Sequence, residues 1–316
     1  MPDKVVCVGN VVHDEVFSVE SLPGSGVKTG VLAYKERFGG PAATAAVAIC
    51  RLGGAAAYWG RVGDDAAGRK AIRLLSEAGV DCDGVAILPE GRTLRAIVLV
   101  DARGERSIVS DRRSLAGDPS VLPDDALRDV AAVLVDTRWP AGAGAALERA
   151  RRAGIATILD ADGGTAGDNQ RLIDMADHVI FSAEGLRDHV GAGEPETLLR
   201  QCAMTAGTTT AGKILAVTRG AAGSLWLIDG ACFTVPAFPV RVTDTTGCGD
   251  VFHGAYALGL VEGKAPVDAA RFASAVAAVK AERGNGWDGM ADRAAVAALF
   301  AANPDLLPRP IAGAAP

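Results

Sequence analysis

An α/β protein with a mostly parallel central sheet, helices on both of its faces and a small additional β-sheet is the fold class this 316-residue sequence predicts. Three observations carry that prediction. Short apolar runs alternate with helical segments of about 10–15 residues, the pattern of successive βαβ units. The runs read as buried strands rather than half-exposed ones, as in "VAAVLVDT" at 130–137. Two segments, 11–38 and 92–113, break the rhythm with polar, alternating residues and read as excursions from the α/β body.

Taken in order, "KVVCVGN" is the first buried strand and "PAATAAVAICRLGG" a helix ended by Gly53. "AAAYWGRVG" is the next strand and "AAGRKAIRLLSEAGV" the helix after it. In "TLRAIVLVDARGERSIVSD", Ile97 and Leu99 precede the "ARGE" turn and Ile108 and Val109 follow it, the arrangement of a hairpin. Beyond it come "VAAVLVDT", the helix "AALERARRAG", then "IATILDAD", "RLIDMA", "DHVIFS" and "GKILAVTRG". No linker-like Ser/Pro stretch separates these segments, so residues 1–316 read as one folded unit whose two β excursions form a lid. The Pro/Ala-rich tail "NPDLLPRPIAGAAP" is expected to fray.

Bulk properties exclude several classes of function. A net charge of −6 argues against a nucleic-acid partner, which needs clustered Lys and Arg. No apolar run approaches the ~20 residues of a membrane span, and the N-terminus lacks the pattern of a signal peptide. Cys7, Cys50, Cys82, Cys202, Cys232 and Cys248 form no CxxC and no Cys/His cluster, the pattern of reduced thiols in a cytoplasmic protein. "GTTTAGKI" at 207–214 nearly spells a phosphate loop, but Ile214 stands where a magnesium-binding hydroxyl belongs and a strand follows instead of a helix. A dinucleotide fingerprint fails similarly, because the third glycine of "GCGDVFHG" falls too late.

The stretch that carries chemistry is "DTTGCGDVFHGA" at 244–255. A glycine-rich turn opening a helix collects backbone N–H groups that favour an anion. Gly247, Cys248 and Gly249 are the candidate nest. Asp250 follows directly and has two readings: a capping carboxylate, or a general base that takes the proton of an attacking hydroxyl while the nest holds a phosphoryl group.

This stretch resembles the C-terminal signature of the ribokinase-like (PfkB) carbohydrate kinases, with Cys248 replacing the usual Ala. "GGPAATAAVAICRLG" with "GRVGDDAAGR" resembles that family's N-terminal signature, and "VTRGAAGS" at 217–224 its nucleotide-side loop. The matches occur in family order from residue 5 to about 285. The resemblance implies a ribokinase-like sheet and lid, a lid-mediated homodimer, and phosphorylation of a sugar hydroxyl by ATP with Mg2+. It leaves room for a monovalent cation beside the Asp244 loop. It implies Asp250 as base, Gly247, Cys248 and Gly249 as anion hole, and Asp14, Gly39 and Gly40 against the sugar. Thr218, Arg219, Gly220 and Gly223 would line the nucleotide.

Two positions depart from the family pattern. Thr44 stands where Asn is usual after the double glycine, and the family's Asn-x-x-Glu reads Ser182–Gly185 with Glu184, the metal candidate, displaced by one.

A finer resemblance, through "GGPAATAA", "VDTRWPAGA", "ILDAD" and His253, is to the branch that phosphorylates 6-deoxy-6-sulfofructose at its 1-hydroxyl. It implies Arg138 and Lys28 as sulfonate ligands and Ser110 at a lid position where that branch has Asn. On the residues alone, Arg138 is equally an ion-pair partner of Asp136 or Asp160, and Lys28 a solvated lid lysine. Arg112 and Arg113 read as solvated, Trp139 as packing, and His13 and His253 as hydrogen-bonding walls of the site. Another sugar, a sugar phosphate, a nucleoside, or a non-catalytic sugar-binding role on the same fold are the alternatives.

Overall fold

The computed structural model describes residues 3–111, 114–115, 117–123, 127–164, 166–205 and 212–311. Arg112 and Arg113, and the 207–211 part of the rejected phosphate-loop match, lie outside the described residues. In chain order the elements are β1 (Lys4–Val8), β2 (Val12–Val19), β3 (Val31–Gly39), α1 (Pro41–Arg51), β4 (Ala55–Gly63), α2 (Ala66–Glu77), β5 (Val85–Leu88), β6 (Arg95–Val100) and β7 (Arg106–Ser110). There follow β8 (Val130–Asp136), α3 (Pro140–Arg152), β9 (Ala156–Ala161), α4 (Ala166–Met175), β10 (His178–Ser182), α5 (Ala183–Val190), α6 (Pro195–Thr205) and β11 (Ile214–Thr218). The last are β12 (Ser224–Ile228), β13 (Ala231–Val235), α7 (Cys248–Val261), α8 (Pro266–Arg283), α9 (Arg293–Ala302) and β14 (Arg309–Pro310).

Local signals start the helices where the sequence places them. Pro41 and Pro140 occupy the first turns of α1 and α3, where no N–H is missed. The Asp65 carboxylate caps α2 by accepting from Gly68 N–H at 2.8 Å. The same carboxylate also accepts from the Thr93 hydroxyl at 2.7 Å, which ties the start of α2 to the chain entering β6.

The large sheet runs β14-β13-β12-β11-β10-β9-β8-β1-β4-β5. From β5 to β11 neighbouring strands are parallel, as the βαβ reading requires. Along β1, Val5 and Cys7 enter the core shared with α1, α7 and α8, while Val6 and Val8 enter the core shared with α3. Both faces are therefore dry, and the period-two alternation divides one strand between two cores.

The β excursions form a separate sheet, β3-β2-β6-β7. The hairpin read around "ARGE" is present, with Ile97 opposite Val109 and Val98 opposite Ile108. β2 pairs with β6 in parallel, so the two excursions are zipped side by side rather than by a second hairpin. The antiparallel edge β11–β14 is an addition that periodicity did not signal. It also corrects the expectation of a fraying tail: Arg309 and Pro310 pair with β13, and Ile311 N–H donates to the Cys232 carbonyl at 2.9 Å. Residues 312–316 lie outside the described residues.

The chain leaves β3 for α1 through Gly40, whose φ of 95° belongs to the left-handed region and whose Cβ position is only 2.2 Å from the Asn10 carbonyl oxygen. Gly40→Ala is expected to lower the denaturation midpoint by about 1–3 kcal/mol of stability or more. Gly167→Ala, at an open helical site, is expected to shift it by no more than about 1 kcal/mol, in the stabilising direction. Denaturant titration of both variants checks the pair.

Candidate active site

The order of the large sheet reverses at β1, which lies between β4 and β8. Crevices for ligands open at such reversals, beyond the carboxyl ends of the strands. Gly9 and Asn10 leave β1 there, and Asp136, Thr137 and Arg138 end β8 beside them. Buried Asp136 ties the corner together: Oδ2 accepts from Ala42 N–H at 3.1 Å, in the first turn of α1, and Oδ1 from Arg138 N–H at 2.7 Å. Asn10 Oδ1 accepts from Arg61 at 2.8 Å, and its Nδ2 donates to the Arg138 carbonyl at 3.2 Å. Arg61 in turn lies 4.0 Å over the Trp139 ring. Trp139 is buried and donates to the Gly117 carbonyl at 2.9 Å, so it packs, as its sequence context predicted.

The residues predicted to meet a sugar divide into a clustered and a dispersed set. Asp14 and Gly39 are in contact, since a methyl group on Gly39 would lie 2.9 Å from Asp14 Oδ2. Burial pushes the Asp14 carboxyl up to about 6, against the opposing charge of Arg37. Thr44 is buried and accepts from Trp287 Nε1 at 3.1 Å.

Arg138 is 30 % exposed and its guanidinium lies 3.5 Å from Asp162. Its ion-pair partner is thus Asp162, not Asp136 or Asp160, the two alternatives the sequence offered; the side chain lies against the 162–163 loop that follows the neighbouring strand β9. Lys28 is exposed in the loop joining β2 and β3, and Ser110 is exposed at the end of β7, paired with Ala96. His13, on β2, is buried and stacks on Phe38 at 4.9 Å, and neither ring nitrogen has a hydrogen-bond partner among the described residues, so it packs instead of forming the hydrogen-bonding wall expected of it.

α7 supplies the centre of the site. Gly247 precedes it with φ 77°, and a methyl group there would lie 3.5 Å from the Thr44 methyl and 3.8 Å from Asp250 Oδ2. Thr44, the turn and the Asp250 carboxylate are therefore immediate neighbours. The amides of Gly249 and Asp250 belong to the first helical turn and have no intrahelical acceptor. Cys248 differs from the expected nest: its N–H donates to the Thr245 carbonyl at 3.2 Å and closes the turn. Its thiol, pushed up to about 11 by burial, is not a nucleophile at neutral pH.

Behind Asp250 stand Asp136 and Asp160, opposite each other on β8 and β9, and Asp162 two residues on. Burial, with the charges of Asp160, Asp136 and Asp162, pushes Asp250 up to about 7, while His253 opposes the rise. Burial and the neighbouring carboxylates raise Asp160 far above the usual range. His253 Nδ1 lies 2.7 Å from the Gly249 carbonyl and 3.3 Å from Asp160, and Nε2 lies 3.3 Å from the Ile180 carbonyl. Burial pushes the His253 pKa down while Asp250 and the two carbonyl contacts oppose that, and the ring joins the first turn of α7 to the middle of β10. It forms a wall of the site, as expected. A half-buried carboxylate with a raised pKa beside free helix-start amides can take a proton from a hydroxyl and face an anion at once.

Along the same rim, Ser182 Oγ donates to Asp162 at 2.7 Å and accepts from Gly185 N–H at 2.9 Å, capping α5. Glu184 sits exposed in that first turn. The 218–223 segment leaves β11 as a tight turn, in which Arg219 N–H donates to the Gly223 carbonyl at 2.8 Å and Thr218 Oγ1 to the Phe181 carbonyl at 3.3 Å. The Arg219 Nε is buried without a protein partner among the described residues.

Sequence reasoning missed Asn10, Arg61 and the role of Asp160 and Asp162 in tuning Asp250. The aspartates that close "VLVDT" and "ILDAD" were the available signal, since a charge at the end of a buried strand marks the crevice side of a parallel sheet. Asn10, in the turn after β1, and Arg61, near the end of β4, carried none.

Comparison with known proteins agrees with this geometry. The model of the pfkB family of carbohydrate kinases matches residues 2–291. The ATP-dependent ribose-1-phosphate kinase of Halopiger xanaduensis is 29 % identical over 256 residues, spanning 80 % of this chain and 83 % of that protein. Fructokinase-1 of Zea mays is 30 % identical over 275 residues, spanning 78 % and 83 %. The structure of Arabidopsis thaliana ribokinase complexed with ribose and ATP superposes with a TM-score of 0.84 at 26 % identity, covering 95 % of this chain and 99 % of that one.

The raised Asp250 pKa has a consequence for stability that needs no substrate. The native pKa of about 7 exceeds the ~3.9 of an unfolded aspartate, so the native state binds the extra proton between those values. Stability from this group is greatest below about pH 4 and is lost as pH rises through 7. Asp250→Asn is therefore expected to melt above the parent at pH 8, with the gap closing as pH falls toward 4. Melting curves across that range check it.

Proposed function

The chain belongs to the pfkB family of carbohydrate kinases, ATP-dependent phosphotransferases acting on a sugar hydroxyl, and on that premise we propose a mechanism and a substrate. Asp250 takes the proton of the attacking hydroxyl, and the start of α7 receives the transferring phosphoryl group. The single observation that carries this reading is the placement of a carboxylate of pKa about 7 within the same helical turn as amides lacking intrahelical acceptors. In this reading the amides of Gly249 and Asp250, with Gly247 N–H ahead of them, are the nest donors, and Cys248 shapes the turn. Thr218, Arg219, Gly220 and Gly223 border the nucleotide, where the unpartnered Nε of Arg219 meets an acceptor.

Among the described residues no group of three His, Cys, Asp or Glu is placed to hold a metal. Magnesium would be carried chiefly by the ATP phosphates, whose charge it would neutralise, or Glu184 would help to hold it.

Asp14, Gly39, Gly40 and Thr44 form the sugar side of the crevice. The substrate we propose is a ketose, with 6-deoxy-6-sulfofructose phosphorylated at its 1-hydroxyl as the specific candidate. Arg138 supports it, as a partly exposed guanidinium at the crevice whose planar fork suits a sulfonate. A sugar without a sulfonate is the second reading, favoured by the existing pairing of Arg138 with Asp162 and by the distance in sequence and exposure of Lys28 and Ser110. The small sheet acts as the lid in this reading. Arg106 of β7 bonds Asp244 at 3.0 Å and the Thr246 hydroxyl at 2.6 Å, beside the start of α7. The exposed Leu32, Tyr34, Ile97 and Val109, on one side of the small sheet, form the face for a second copy of the chain, in the cytoplasm.

A coupled ADP-release assay comparing 6-deoxy-6-sulfofructose, fructose 6-phosphate, fructose, ribose and ribose 1-phosphate tests the substrate. A strong preference for the sulfonate is expected. Arg138→Ala should weaken that sugar at least about tenfold more than fructose, a charge-assisted contact being about twice as strong as a neutral one; equal losses make Arg138 structural. Asp250→Asn should bind ATP and sugar but lose at least ~10²-fold in turnover, and near-normal turnover would refute the base assignment. In the parent, kcat/KM should fall about tenfold per pH unit below 7, as the base protonates, and level off above it.

A further inference from the structure

We propose that the ammonium of Lys280 takes the place of a monovalent metal ion beside the Asp244 turn and polarises the peptide that presents Gly247 N–H to the transferring phosphoryl group. The inference rests on the phosphoryl-transfer reading of the α7 turn. Lys280, in the last turn of α8, is 1 % exposed, a rare setting for a lysine. Its Nζ donates to the Thr246 carbonyl at 3.2 Å. Its charge also acts on the Asp244 carboxylate and the Cys248 thiol.

The oxygens a metal ion would need are already engaged by protein donors. Asp244 Oδ1 accepts from Arg106 at 3.0 Å, from Thr246 N–H at 2.9 Å and from the Thr246 hydroxyl at 2.7 Å, while Oδ2 accepts from Arg37 at 3.3 Å. Burial opposes ionisation of Asp244, yet these bonds and the charges of Arg106 and Lys280 hold it at about 2. The Ala281 carbonyl, one residue beyond Lys280, accepts from Thr243 and Asp244 N–H at 2.8 and 3.1 Å. Thr246 O, the remaining inward acceptor of the turn, faces a tethered cation. The residues present therefore do not fit an additional potassium or sodium ion.

The position of the ammonium has a chemical consequence. Thr246 C=O and Gly247 N–H belong to one planar, conjugated peptide unit. A charged donor on that oxygen draws electron density from the nitrogen and strengthens the N–H as a donor on the far side. Lys280 touches no reacting atom; it is a positioning residue acting through the peptide. The cation also sits at the C-terminal end of α8, where the helix dipole favours positive charge.

The test compares the parent and Lys280→Met in potassium, sodium and tetramethylammonium chloride at equal ionic strength, reading melting temperature and turnover on the best sugar of the panel. The parent is expected to be indifferent to the cation in both readings. Lys280→Met is expected to lose at least about tenfold in turnover and to regain most of it, with a rise in melting temperature, when potassium or methylammonium is supplied.

Potassium-specific activation or stabilisation of the parent would overturn the proposal. So would a variant with parental turnover in tetramethylammonium, or a loss that no small cation restores. If Lys280→Met does not fold, the parent's response decides. The melting readings require no substrate, so silence on every sugar would count against the proposed activity while leaving this inference open to the same test.

Discussion

The site depends on burying the start of α7. From Val251 to Gly259 every residue of this helix is buried, so it can only lie in the interior, between α1, α8 and the sheet. A helix apolar on all sides delivers its N-terminal amides to wherever the packing ends, and here that point is the carboxyl edge of β8, β9 and β10. His253 secures the junction with contacts to Gly249, Asp160 and Ile180. The anion-receptive turn is thus held by the core and needs no flexible loop to bring it into place.

That seating creates an electrostatic problem which the chemistry uses. Asp136 and Asp160 end adjacent strands, and Asp162 and Asp250 close around them. Carboxyl groups gathered in this way cannot all ionise without cost where solvent is scarce: Asp136 and Asp160 are buried, Asp250 is half-buried and Asp162 reaches solvent. Asp136 accepts from two backbone amides, Asp162 pairs with Arg138 and Ser182, and burial with the neighbouring carboxylates pushes Asp160 far above the usual range. Asp250 is left with a pKa pushed up to about 7, which suits the base role proposed for it. The opposite extreme lies six residues earlier: Asp244, surrounded by donors and cations, is held fully ionised and ties the small sheet to the turn.

Coupling between the two sheets follows from that contrast. Arg37 of β3 and Arg106 of β7 converge on one carboxylate at the base of the anion-receptive turn. Movement of the small sheet would therefore be felt at the turn through two charged hydrogen bonds, and Lys280 would hold the turn from its inner side.

The sequence by itself determined the parallel α/β body, the ARGE hairpin and the identity of the residues at the start of α7, because strand burial, turn chemistry and the Gly-Cys-Gly-Asp spacing are local properties. It also singled out Asp14 and Gly39, which the pairing of β2 with β3 brings into contact, and Thr44, which lies beside the start of α7. Only the tertiary structure decided that Cys248 N–H closes the turn, that Arg138 pairs with Asp162, that the 303–311 tail completes an antiparallel edge, and that Lys280 points inward at Thr246. Each of these depends on which distant strand or helix end lies alongside. Charge pairing and the pKa of Asp250 are set by distances across the sheet, between residues as far apart in sequence as 136 and 250, and no local pattern encodes a distance of that kind.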